Sequence, residues 1–300
     1  MKAIAKIRYW LNCVVDDLMQ QPKHLLTFRL TALLLLLYSP PYETLSNFVL
    51  PICCGVLLIS SKLLNQRLIW LTIAAFFVGT NVRFWFTFDN HNYLATYWCL
   101  VCLLAAGQKN SDSEEILQWN GRILIGLCFF LATFWKLIAN QYFDGSLLHL
   151  TFLLDSRLDM SAFLFGGLES DVLQSNRELY SQLYISNPGT ELTLTSSPRL
   201  GSFSLVLSYW TLLCEGAIAL TFLSHRPRWL HNCRDWLLIF FIFSTYPFTP
   251  IFGFAALLLV IGFAQCPRDR PIELLVYLLL LVLIPLWVNL PETIFKTFIN

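Results

Sequence analysis

The chain is 300 residues long, with a formal net charge of +1, 56% hydrophobic residues and only 13% charged ones. Its mean hydropathy is +0.60. This excludes an ordinary soluble domain and leaves no basic, aromatic-studded face for nucleic acid; it predicts an all-α, polytopic integral membrane bundle.

Residues 1–24 carry Lys2, Lys6 and Arg8 opposite Ile4, Ile7, Trp10 or Leu11, Val14 and Leu18 at helical spacing. They lack the apolar core and small-residue cleavage site of a signal peptide, so an amphipathic helix in the membrane interface is expected. Residues 25–300 then form one transmembrane domain. Its apolar runs are Leu25 to Tyr38, Phe48 to Ser60, Leu68 to Phe86, Tyr93 to Ala106, Ile123 to Ala139, Phe203 to Leu223, Trp236 to Ala264 and Leu274 to Leu290. Basic residues gather in alternate connections: Lys62 with Arg67, Lys109 with Arg122, Arg226 with Arg228 and Arg234, and Arg268 with Arg270. By the positive-inside rule these connections and the N-terminus are cytoplasmic. The run from Trp236 to Ala264 has basic residues at both ends and must cross an even number of times. Its natural break is Tyr246-Pro247-Phe248-Thr249-Pro250, because two prolines remove helical hydrogen bonds. The result is about eight to nine membrane segments, as short helices or a re-entrant hairpin at that break. The loop from Asn140 to Ser202 lies outside, with Leu147 to Leu158 as an amphipathic helix and Ser186 to Ser202 as turns and coil.

Lys136 is the residue to explain, in GRILIGLCFFLATFWKLIANQYFDG. A charged amine in the bilayer costs roughly 2.5–3.5 kcal/mol, so it calls for a partner, a watered cavity or an escape to the interface. Helical spacing puts Arg122, Gly126, Thr133, Lys136 and Asn140 on one side of this segment. Snorkelling beside the helix C-terminus is the competing account. A second polar stretch, TNVRFWFTFDNHNYL, brings Arg83, Asp89, Asn90, His91 and Asn92 to the same outer level, where a histidine and a desolvated lysine can serve as acid and base. Taken alone, DNHN is better explained as a solvated, helix-capping turn. Arg29 belongs near the cytoplasmic start of the first segment and can snorkel, whereas Glu215, mid-helix, is a candidate partner for a buried cation with a structural role. The nine cysteines form no extracellular framework; Cys99 and Cys102 make a CxxC inside an apolar helix, which leaves room for a quinone-linked thiol pair. The five histidines show no metal-ligand spacing.

Three stretches, in order, resemble the horizontally transferred transmembrane (HTTM) domain shared with vitamin K-dependent gamma-carboxylase. HLLTFRLTALLLLLY, including Arg29, is similar to the family's first helix. FDNHNYLATYWCLVCLL is similar to its Asn-His-x-Tyr-Leu segment at Asn90, His91, Tyr93 and Leu94. FFLATFWKLIANQYFDGS resembles the segment of the catalytic lysine, with Lys136, Leu137, Tyr142, Asp144 and Gly145 in register. The match covers Asp17 to Ser146, and the later helices by hydropathy alone. The resemblance implies a quinone or hydroquinone as the lipid-soluble cofactor and Lys136 as its base, with His91 as catalytic partner and Asn90 contributing to the same outer pocket; Arg83 from the polar stretch, and Thr133 and Asn140 from the lysine's side of its helix, are further candidate cofactor contacts. The chain departs from the carboxylases: it holds one lysine where they have a tandem pair, STYPFTPIFGF replaces a histidine-containing stretch, and no large extramembrane domain follows the last segment. Carboxylation of protein glutamate is therefore not implied. The alternative is a non-catalytic membrane scaffold, assembly factor or lipid-binding protein whose partners are lipids and other membrane proteins.

Overall fold

The computed structural model describes residues 21–38, 46–86, 90–183, 191–224, 226, 228–246, 248–249 and 251–299, with side chains except at 38, 46, 47, 90, 228, 231 and 287–299. The expected interfacial helix at 1–24 and Asp89 lie mainly outside this set. All regular structure among the described residues is helical: α1 (Lys23–Tyr38), α2 (Ser46–Ile59), α3 (Ser61–Leu64), α4 (Arg67–Arg83), α5 (Asn90–Ala105), α6 (Asn110–Ile138), α7 (Asn140–Phe143), α8 (Ser146–Leu154), a 3₁₀ turn (Ser156–Leu158), α9 (Asp159–Gly166), α10 (Ser170–Gln182), α11 (Pro198–Leu223), α12 (Arg228–Thr245), α13 (Phe252–Gln265) and α14 (Pro271–Ile299).

Helices α6 and α11 run antiparallel, with Arg122 beside the end of α11 and Lys136 beside Glu215. Helix α13 is the hub: it is apolar all round, buried without a break from Ala255 to Gln265, and in contact with α1, α5, α6, α12 and α14. The break at 246–250 separates α12 from α13, as the two prolines require. Helices α6 and α11 are long and apolar enough to cross a membrane; residues 48–59, 252–265 and 271–286 form shorter apolar helices.

Helix boundaries outrun the apolar runs. Helix α6 has 29 residues, a length of about 43 Å, and begins well before Ile123. Its polar first turns extend past the bundle base, where Glu114 accepts from Arg268 at 2.6 and 3.0 Å and from the Lys23 amide at 2.9 Å. The outer segment is more ordered than expected. Helix α8 stops at Leu154, followed by the 3₁₀ turn; α9 and α10 follow, and α11 begins at Pro198, not at Phe203. Phe152, Leu153, Leu158, Ala162, Leu173, Leu200 and Leu207 give this cap its own apolar core.

At the base, cations close the C-termini of three helices, whose last carbonyls have no intrahelical donor. Arg67 donates to Ala106 at 2.7 Å, at the end of α5. Arg122 donates to Phe222 at 2.7 Å and Ser224 at 2.9 Å, at the end of α11. Lys23 donates to Ala264 at 2.9 Å and to Cys266, at the end of α13. Beside them, fully buried Asp235 accepts from Arg270 at 3.1 Å and from the Tyr277 hydroxyl at 3.1 Å.

The α13–α14 contact is tight at Gly262, where an added Cβ would lie 2.5 Å from Cε1 of the Tyr277 ring. The ring is held by its bond to Asp235 and has little room to turn. Gly262→Ala should lower stability by about 1–3 kcal/mol, the usual cost of overpacking. Gly55→Ala, with nothing within 4 Å of its added Cβ, should be neutral or slightly stabilising. Thermal unfolding of the detergent-solubilised chain measures both.

Candidate functional site

The C-terminal half of α6 meets α11, and this contact buries Lys136 and Glu215. Lys136 is 9% exposed and Glu215 is 8% exposed. The Lys136 ammonium donates to Glu215 Oε1 in a buried ion pair. Side chains of long helical residues lean toward the N-terminus, so Lys136 reaches back into the bundle from the last turn of α6. The buried partner removes the need to snorkel. Leu127, Leu131 and Trp135 occupy the outward side of the same helix and are exposed.

Tyr142, in α7 beyond the end of α6, lays its ring over the ammonium, with Lys136 Nζ 5.1 Å from the centroid. Burial, with the Glu215 charge adding to it, pushes the Tyr142 phenol up to about 12, so it stays neutral at ordinary pH. The ring face therefore adds a cation–π attraction. Helix α7 is held there by the Asp144-Gly145 turn. Asp144 accepts from the Ser146 amide at 2.8 Å, and the Ser146 hydroxyl and amide together draw its carboxyl below the usual range. Gly145 has φ of 74°, and a Cβ there would lie 2.8 Å from Leu205 Cα on α11. Only glycine satisfies both the left-handed backbone and this approach.

On the bundle side, Tyr246 and the thiols of Cys128 and Cys214 lie within reach of the Glu215 charge. Tyr246 is buried and stands 6.2 Å, centroid to centroid, from Phe254. Phe254 in turn stands 6.1 Å from the His91 ring. An aromatic series thus runs from His91 toward the ion pair. Tyr246 also lines an apolar cleft of 160 Å³ with Ile242 and Phe243 of α12 and Leu280, Leu283, Ile284 and Leu286 of α14.

The remaining expected site residues are dispersed. Thr133 spends its hydroxyl on the Phe129 carbonyl at 2.8 Å and turns its methyl toward Gly216 on α11. Asn140 is exposed at the start of α7 and does not continue the buried side of α6. Arg83 is exposed at the end of α4, its guanidinium 5.3 Å from the Phe84 ring. Asn90 begins α5, with its side chain outside the described set. From the same polar run, Asn92 is buried at a seam where Asn81 donates to Thr96 at 2.7 Å. Cys99 and Cys102 are both fully buried free thiols in α5.

Tyr142 and Tyr246 escaped the sequence reading as neighbours of the pair, although YFDG directly after the lysine segment placed Tyr142 nearby. Glu215 carried a usable signal, since an acid in mid-helix needs a cation.

One oxygen of the pair is uncommitted: Glu215 Oε2 is buried and has no hydrogen-bond partner among the described residues. The arrangement is a lysine amine paired with one oxygen of a buried glutamate whose other oxygen is unmatched.

Breaking such a pair strands a buried charge. Lys136→Met or Glu215→Leu alone should each cost about 3–5 kcal/mol, while the double substitution should cost far less than the sum. A double-mutant cycle of thermal or denaturant unfolding in detergent checks this; additive losses would show that the pair is not coupled. Compared with known protein families, curated proteins and solved structures, the chain matches none, so the site is read from its own residues.

Proposed function

We propose that the chain is a polytopic membrane protein of the HTTM, carboxylase-like class, with a site for a hydroquinone or similar lipid-soluble phenol at the Lys136–Glu215 level. The buried pair with its open Glu215 oxygen carries this reading. A weakly acidic hydroxyl entering an apolar surround needs an acceptor for its proton and a cation for its oxygen, and the pair holds both. The broad apolar exposure of α6 and α11, including Leu131, Trp135, Val206, Leu213 and Leu220, suits a lipid surround. Basic residues concentrated at the base suit a cytoplasmic side there. Tyr246 and the apolar cleft beside it suit a ligand with an apolar body. His91, behind Phe254, is assigned an outer supporting position, with Asn90 and Arg83 at the rim.

Epitopes inserted after Lys109 and after Glu191 should report opposite faces of the membrane in intact and permeabilised cells. Exposure of both on the same face would overturn the topology. With the chain in lipid nanodiscs, a naphthohydroquinone should bind, and Lys136→Ala should weaken binding about tenfold or more, as expected for loss of a charged hydrogen-bond donor. Undiminished binding in that variant would leave the pair as a packing device within a scaffold.

A further inference from the structure

We infer that the start of α1 is a binding site for an anionic phospholipid, with the phosphate held by Arg29 and Lys62 and the acyl chains lying along exposed stripes of α1 and α2. This rests on the membrane-spanning part of the reading above and is independent of any ligand near Lys136.

Arg29 lies about two turns into α1. Its guanidinium is held from two sides: Nη1 donates to Gln21 Oε1 at 3.3 Å and Nη2 donates to Ser61 Oγ at 2.5 Å. Both acceptors are neutral. A guanidinium carries five N–H donors, so these bonds leave donors unused among the described residues. Lys62, which follows Ser61, is exposed. No carboxylate of the described residues pairs with either cation. Other cations of the base are already committed: Arg67, Arg122 and Lys23 to helix-end carbonyls, Arg268 to Glu114 and Arg270 to Asp235. Arg29 is fixed in place without being neutralised.

Two apolar stripes lead away from this cation. On α1, Leu33, Leu36 and Leu37 follow Arg29 at spacings of four, seven and eight residues, on its own side of the helix, and all three are exposed. The stripe runs for about 12 Å. Helix α2 packs against α1 and ends beside Ser61. Going back along it, Ile59, Ile52 and Phe48 share one side and are exposed. Gly55 lies on that side too, where an added Cβ meets nothing within 4 Å.

A planar fork of donors at one end and apolar stripes beyond it match a diacyl phospholipid, since guanidinium groups pair bidentately with phosphate oxygens. A soluble phosphate would use only the fork. A zwitterionic headgroup brings its own ammonium, whereas two cations without an acid favour a headgroup of net negative charge. Snorkelling places the Arg29 charge at headgroup level, and in the proposed topology that level faces the cytoplasm, where anionic lipids gather.

The chain in detergent micelles is titrated with phosphatidylglycerol and with phosphatidylcholine of the same acyl chains, and bound lipid is counted by native mass spectrometry. Wild type should retain phosphatidylglycerol about tenfold more tightly, as expected for a charged hydrogen bond. Arg29→Gln should remove that preference. Ser61→Asp guards against a folding defect: it sets a carboxylate beside the guanidinium at an exposed position, and should keep or raise the unfolding temperature while removing the preference. Lys109→Gln removes a different exposed cation and should leave the preference intact. Preference retained in Arg29→Gln or Ser61→Asp, preference lost in Lys109→Gln, or equal retention of both lipids by wild type would each overturn the inference. Displacement of phosphatidylglycerol by inorganic phosphate at the same concentration would show a soluble-anion site and overturn the lipid assignment. Recovery of the chain as soluble protein without detergent overturns the membrane reading and this inference with it, whereas an inserted chain with no lipid preference overturns this inference alone.

Discussion

Helices α6 and α11 are fastened to each other at both ends by cations of α6, and most of the remaining arrangement follows from that. At the base Arg122 closes the C-terminus of α11 through the carbonyls of Phe222 and Ser224. At the outer end Lys136 meets Glu215. The two fastenings fix the register of the antiparallel pair, because sliding one helix by a turn would strand a buried ammonium and a buried carboxylate together. With the register fixed, α7 is drawn over the ammonium by Tyr142, and the Gly145 turn rests directly on the backbone of α11.

The two ends of the bundle use charge differently. Antiparallel packing brings the C-termini of α5, α11 and α13 to the base, where Arg67, Arg122 and Lys23 supply donors to carbonyls that the helices cannot satisfy. The basic residues at the base thus have a local structural use, and they are spent on it. At the outer end the charge is not spent completely. The pair leaves one buried carboxylate oxygen unmatched among the described residues, with the Tyr142 ring over the ammonium. Reactivity is to be sought where a buried polar group is unmatched, and this is such a place.

The cap formed by α8, α9 and α10 lies over the same end. Its apolar core includes Leu200 and Leu207 of α11, so the helix that carries Glu215 also anchors the cap. Asn176 donates to the Thr195 carbonyl at 2.8 Å and accepts from its amide at 2.8 Å, while His149 and Ser196 are hydrogen-bonded to each other. These bonds hold the coil before α11 to the cap and explain why helix begins at Pro198: the Ser197 hydroxyl accepts from the Leu200 amide and Pro198 occupies the first turn.

Composition and apolar periodicity alone determined that the chain is helical, where its long helices lie, and that Lys136 and Glu215 each need an explanation, since a charge in an apolar helix is conspicuous wherever the helix packs. The proline pair between Tyr246 and Ile251 likewise fixed the division between α12 and α13 through backbone chemistry that needs no tertiary context. Hydropathy could not place the polar ends of α6 and α11, because Asp112, Glu114 and Arg199 are helical without being apolar. Nor could it see α9 and α10, whose apolar residues share a small core with α8 and α11. Only the tertiary structure decided that Lys136 and Glu215 are partners, that Tyr142 covers the ammonium, and that Thr133, Asn140 and Arg83 turn elsewhere. The physical reason is that helical spacing tells which residues share a side of one helix, whereas the neighbour across that side is set by antiparallel register and by long-range packing.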